Sequence, residues 1–159
     1  MTRRELREHV FRILFACEFL KAKSKDDPYS WPDREAVLEL IDLYFTHEGG
    51  EELEFPPVEV SPEDRGEVRE RVLLVSDKVP EIDRLLDRTS TGWKTGRMVS
   101  TDLCILRVAV CEMLYDDRSP TGVAINEAGL LAKKFGGDDS SSIVNGILAK
   151  LDRQRSERS

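Results

Sequence analysis

Apolar residues recur every three or four positions along almost the whole chain, the spacing of a single buried face on an α-helix. Leu6, Val10, Ile13, Leu14, Cys17 and Leu20 form the first stripe and predict a helix from about Arg4 to Ala22. Pro28 and Pro32 break the pattern, and Val37, Leu38, Ile41, Tyr44 and Phe45 mark a second helix that Gly49-Gly50 ends. Ser61-Pro62-Glu63-Asp64 is a start signal: a serine cap, a proline at the first helical position, and an acid three residues after the cap. Val68, Val72, Val75 and Val79 line the third helix; Pro80 predicts a break and a short fourth helix through Ile82, Leu85 and Leu86.

The fifth helix, about Thr101 to Tyr115, is apolar on nearly every side, as expected of a central element packed all round. Arg107 and Glu112 interrupt it and need partners or a route to water. Pro120 and Gly136 bracket a sixth helix, and Asp138 or Asp139 can cap a seventh carrying Ile143, Val144, Ile147, Leu148 and Leu151. There is no β alternation and no repeat. The prediction is an all-α fold of about seven helices.

Composition narrows the class. The 159 residues are 40% hydrophobic and 35% charged, and no apolar run approaches the ~20 residues of a membrane span. The longest candidate, "LCILRVAV", is broken by Arg107, and the basic start lacks the uninterrupted core of a secretory signal. The expected location is cytoplasmic. Cys17, Cys104 and Cys111 are odd in number and sit in helical patterns, so reduced core thiols are expected.

The formal net charge is −7, yet the stretch from Glu48 to Glu70 holds nine acids against two arginines and accounts for all of it. The first twelve residues carry Arg3, Arg4, Arg7 and Arg12 against Glu5 and Glu8. Binding follows such local patches, so an acidic total does not exclude RNA.

Catalytic motifs are missing: no P-loop, no G-x-S-x-G and no paired histidines at metal spacing. An enzyme is not expected, nor a cofactor or metal; the Asp138-Asp139 pair is explained more simply as a helix cap than as a Mg²⁺ site. The arginines of the first helix read either as a solvated face or as an RNA contact, since guanidinium pairs with phosphate and stacks on unpaired bases. Phe11, Phe15 and Phe19, four residues apart, set an aromatic edge beside that basic end. Asn126 and Asn145 stand among apolar neighbours in the last two helices, where an unpaired buried amide would be costly.

Three stretches carry a family resemblance: "RRELREHVFRILF", "DLCILRVAVCEML" and, most specifically, "SPTGVAINEAGLLAKKFGGDDSSSIVNGILAKL". The chain resembles the NusB family of bacterial transcription antitermination factors. The resemblance implies one NusB-like domain over 1–152, divided into helical subdomains of about 1–79 and 80–152, with a polar tail at 153–159. It implies binding of boxA-type single-stranded RNA together with the small-subunit ribosomal protein NusE, in support of ribosomal RNA transcription by an RNA polymerase antitermination complex.

Carried over by position, Arg3, Arg4 and Arg7 would contact RNA, Phe15 would stack a base, and Asp139, Ser140 and Asn145 would add polar contacts. Glu112 would face the protein partner. Asn126, Glu127 and Gly136 would be structural, with the asparagine amides bound to loop backbone or helix ends. The alternative is a non-catalytic helical interaction module, a homodimer with little RNA binding of its own.

Overall fold

A computed structural model describes residues 1–20, 31–46, 60–90, 92 and 95–158, without the side chains of 97 and 158. The expected acidic loop at 48–59 and the last two residues of the expected first helix lie outside these. The described elements are all helical: α1 (Arg3–Leu20), α2 (Arg34–Thr46), α3 (Pro62–Thr89), α4 (Ser100–Tyr115), α5 (Thr121–Phe135) and α6 (Ser140–Arg158), with a short 3-10 turn at Thr95–Arg97.

The helix starts follow local chemistry. The Thr2 hydroxyl accepts the Glu5 N–H at 3.1 Å and donates to the Glu5 carboxylate, capping α1. Asp33 accepts the Ala36 N–H at 2.9 Å at the head of α2. Ser61 caps α3 as expected, its hydroxyl accepting the Asp64 N–H at 3.1 Å with Pro62 in the first turn.

One expectation fails. Pro80 does not end a helix: α3 runs 28 residues straight through it. Proline removes one backbone bond, the one Ser76 would have accepted, at a cost of about 3 kcal/mol. Val75 and Val79 before it, and Ile82 and Leu86 after it, are all fully buried. Burying side chains of that size is worth roughly 1.5–3 kcal/mol each, which outweighs the break. The described residues therefore hold six α-helices rather than about seven.

α4 is the hub. It packs against α1, α3, α5 and α6, while α2 closes over α1 and α3. Every residue from Asp102 to Met113 is buried, as its apolar circumference predicted. The three cysteines are buried and free. Burial pushes the Cys17 and Cys111 thiols up to about 11 and the Cys104 thiol to about 12, so they stay neutral core groups.

The two charges of α4 find partners on other helices. Arg107, 1% exposed, holds Asp83 of α3 through two bonds of 2.9 and 2.7 Å and Glu18 of α1 at 2.6 Å. Its guanidinium lies 4.8 Å from the Trp31 ring centroid. Glu112 turns toward the start of α1, where the candidate site begins.

Candidate nucleic-acid interface

The first two turns of α1 place three arginines against the end of α4, the loop at 116–120 and the first turns of α5. Arg7 donates to both oxygens of Glu112, at 2.9 and 3.2 Å, and Ser119 adds a bond to the same carboxylate. Arg3 donates to Asp116 at 2.8 Å, an acid that also receives Arg71 at 2.7 Å and Arg118 at 3.3 Å. Arg4 makes two 3.0 Å bonds to Glu127.

Two of the residues expected to make contacts are held inside the fold. Arg7 is buried and bonded to Glu112, so it braces α1 on α4. Glu112 is 2% exposed, and a carboxylate facing the core takes its cation from inside the fold. Arg3 and Arg4 differ: their side chains are 41% and 63% exposed. Each combines an internal bond with a solvent-facing guanidinium.

Further along α1, Arg4, Glu8, Arg12, Phe15 and Phe19 follow one another at four- and three-residue steps, a stripe about 22 Å long. Phe15 is half-buried and meets Phe19 edge-on at 5.0 Å; Phe19 is 70% exposed. Phe11, behind them, is buried and packs on Phe135, the last residue of α5, at 4.9 Å. Arg12 and Lys134 sit 5.6 and 5.5 Å from the Phe135 ring centroid, and Lys134 pairs with Glu8 at 2.7 Å. Cations thus interleave with ring faces, the pattern suited to unstacked bases and their phosphates. Phe19, Arg12, Lys134 and Phe135 were not singled out from sequence as members of one surface. The four-residue spacing of the phenylalanines signalled the first; the meeting of α1 with the end of α5 has no local signal.

The turn after Phe135 is held by packing. A Cβ on Gly136 would lie 2.5 Å from Ser140 and 2.7 Å from the Ala132 carbonyl oxygen, so only glycine fits. Ser140 is buried, its hydroxyl accepting the Gly137 N–H at 3.0 Å, and is a turn brace rather than a free polar contact. Asp139 is exposed, and its carbonyl accepts the Ile143 N–H, putting it at the cap position of α6.

Asn126 and Asn145 are both exposed, which corrects the expected burial of their amides. α5 turns Ala124, Ala128, Leu131 and Ala132 inward, and Asn126 falls between those turns. The Asn145 amide lies over Gly129, 2.9 Å from where a Cβ would be, so Gly129 lets α6 approach α5. Glu127 accepts both of the Arg4 bonds, joining the start of α5 to α1.

The network fixes a pH response. Burial works against the Asp116 charge, but bonds from Arg71, Arg3 and Arg118 hold its carboxyl well below the usual carboxylate range. The Arg4 bond lowers Glu127 likewise. Burial, with Arg12 nearby, lowers His9, whose ring nitrogen lies 2.6 Å from the Tyr44 hydroxyl. In all three the folded state binds protons less readily than the unfolded chain, so stability falls as pH falls. The melting temperature should start to drop below about pH 6.5 as His9 titrates, and faster below about pH 4.5 as the carboxylates follow. His9→Gln should flatten the first part of that curve; a wild-type melting temperature constant from pH 7.5 to 5 would contradict the assignment.

A family model described as "NusB family" matches residues 4–153. The chain belongs to the NusB family. The Transcription antitermination protein NusB of Lachnoclostridium phytofermentans is 44% identical over 151 residues, covering 95% of this chain and 98% of that one. That of Agathobacter rectalis is 40% identical over 151 residues, covering 95% and 99%. Among solved structures, T. maritima NusB superposes with a TM-score of 0.71 at 27% identity, covering 96% of this chain and 92% of that one. Antitermination factors NusB and NusE in complex with dsRNA give a TM-score of 0.67 at 15% identity, covering 97% and 99%, a likeness of fold. None of the described helices is long and apolar enough to cross a membrane.

Proposed function

We propose that the protein is a non-catalytic, cytoplasmic RNA-binding antitermination factor that binds boxA-type single-stranded RNA together with NusE. Through that pair it joins the RNA polymerase antitermination complex. The observation that carries this reading is the stripe on α1, which sets Arg4, Arg12, Phe15 and Phe19 on one accessible face beside Lys134 and Phe135. The description shared by its relatives favours this over a helical interaction module without RNA binding. A net charge of −7 suits a basic ribosomal protein as partner and makes RNA binding stronger in its company.

Stacking on an aromatic side chain is worth about 1–3 kcal/mol per base, so Phe15→Ala should weaken RNA binding about tenfold or more with NusE present. Arg4→Ala should weaken it less and lower the salt dependence. Gel shifts of the purified protein, NusE and boxA-type RNA against a scrambled control measure both. If Phe15→Ala and Phe19→Ala together bind like the unsubstituted chain, the stripe is not the RNA site.

A further inference from the structure

Beyond the stripe, α1 and the start of α5 enclose a groove of about 440 Å³ with Arg3, Arg4, Arg7 and Arg118 in its walls. Arg118 follows no part of the family resemblance quoted above. It stands on the loop between α4 and α5, its side chain 74% exposed, tethered by one 3.3 Å contact to Asp116. Counting Arg71, five arginines share three carboxylates, Glu112, Asp116 and Glu127.

The three carboxylates are not equivalent. The side chains of Glu112 and Asp116 are 3% exposed; Glu112 is held by the buried Arg7, and Asp116 by the largely buried Arg71 together with the more exposed Arg3 and Arg118. Glu127 is 12% exposed, and the guanidinium it holds with two parallel bonds is 63% exposed. Two oxygens of one anion on the Nε and terminal nitrogen of an arginine is also the geometry in which guanidinium takes phosphate. Glu127 therefore occupies the position of a phosphate on a cation open to solvent.

We propose that this groove takes one phosphodiester of the bound RNA on Arg4 and Arg118, and that Glu127 is the internal competitor the phosphate displaces. The proposal rests on the RNA-binding reading and extends the RNA path off the end of α1 onto the loop at 116–120. Glu127 then sets affinity as well as holding the fold. While RNA is absent it keeps Arg4 ordered and lowers the attraction of the basic end for any polyanion; displacement makes part of the attraction conditional on a correctly placed strand.

The test titrates boxA-type single-stranded RNA against the full chain with NusE over a range of salt. Arg118→Ala is expected to weaken binding about two- to fivefold and to reduce the log–log salt slope by about 0.7, the loss of one neutralised phosphate. Glu127→Gln is expected to tighten binding about two- to fivefold, because Arg4 loses its competitor. Arg118 is exposed, so that variant folds, and its melting temperature provides the control. Unchanged affinity and slope in Arg118→Ala, with the unsubstituted chain binding well, would overturn the groove and leave the stripe standing. Equal or weaker binding by Glu127→Gln at an unchanged melting temperature would overturn the competitor role. A failure of the unsubstituted chain to bind RNA would overturn both readings. An Arg118→Ala chain that binds RNA normally and loses only NusE would assign the groove to the protein partner and overturn the proposal.

Discussion

Arg107→Met should cost about 3–5 kcal/mol, the penalty of stranding buried charge, and lower the melting temperature by roughly 10 °C or more. The cation sits at the junction of three helices: α4 supplies it, α3 supplies Asp83 and α1 supplies Glu18. Burial opposes its charge, but the bonds to Asp83 and the fields of both carboxylates raise its pKa above the ordinary arginine value. Methionine keeps an unbranched apolar stem beside Trp31, so most of the loss reports charge rather than volume. Asp83, 2% exposed, and Glu18, whose side chain is 8% exposed, would then lose the cation they share.

Adding Asp83→Asn and Glu18→Gln should recover a large part of that stability, since neutral amides carry a far smaller desolvation cost. Thermal melts of the single and triple variants check both statements. A single variant within 1 kcal/mol of the unsubstituted chain would show that water reaches the cluster.

Sequence legibility divides along the range of the forces involved. Ser61 and Pro62 start α3 through bonds that span three residues, and the run from Leu103 to Met113, apolar but for Arg107 and Glu112, placed α4 at the centre. Local signals of this kind are readable from one chain. Pro80 misled because helix breaking is local whereas its remedy, the burial of Val79, Ile82 and Leu86 against other helices, is not.

The candidate site shows the same division. Phe15 and Phe19 were visible as a spacing, but Phe135 joins them only because α5 ends beside α1. Asn126 looked buried because its neighbours in sequence are apolar, although α5 has a single inward face. Glu112 in an apolar helix signalled the need for a partner, but nothing local pointed to Arg7, 105 residues away.

That pairing separates scaffold from surface within a single arginine run. Arg7→Ala should cost about 3–5 kcal/mol, because Glu112 would be left almost wholly buried with only the Ser119 hydroxyl and a distant Arg3. Arg4, whose side chain is 63% exposed, should cost less than about 1 kcal/mol on the same substitution. The order of effects on RNA should be the reverse: at a temperature where both variants are folded, Arg4→Ala binds more weakly and Arg7→Ala nearly as the unsubstituted chain does. Arg7→Met combined with Glu112→Met fills the same space without charge and should return much of the lost stability, as replacement of a buried pair by apolar groups commonly does. Denaturant melts alongside RNA titrations of the three variants decide the matter. If Arg7→Ala melts normally and abolishes RNA binding, the guanidinium leaves Glu112 for the nucleic acid, and the brace is part of the RNA site.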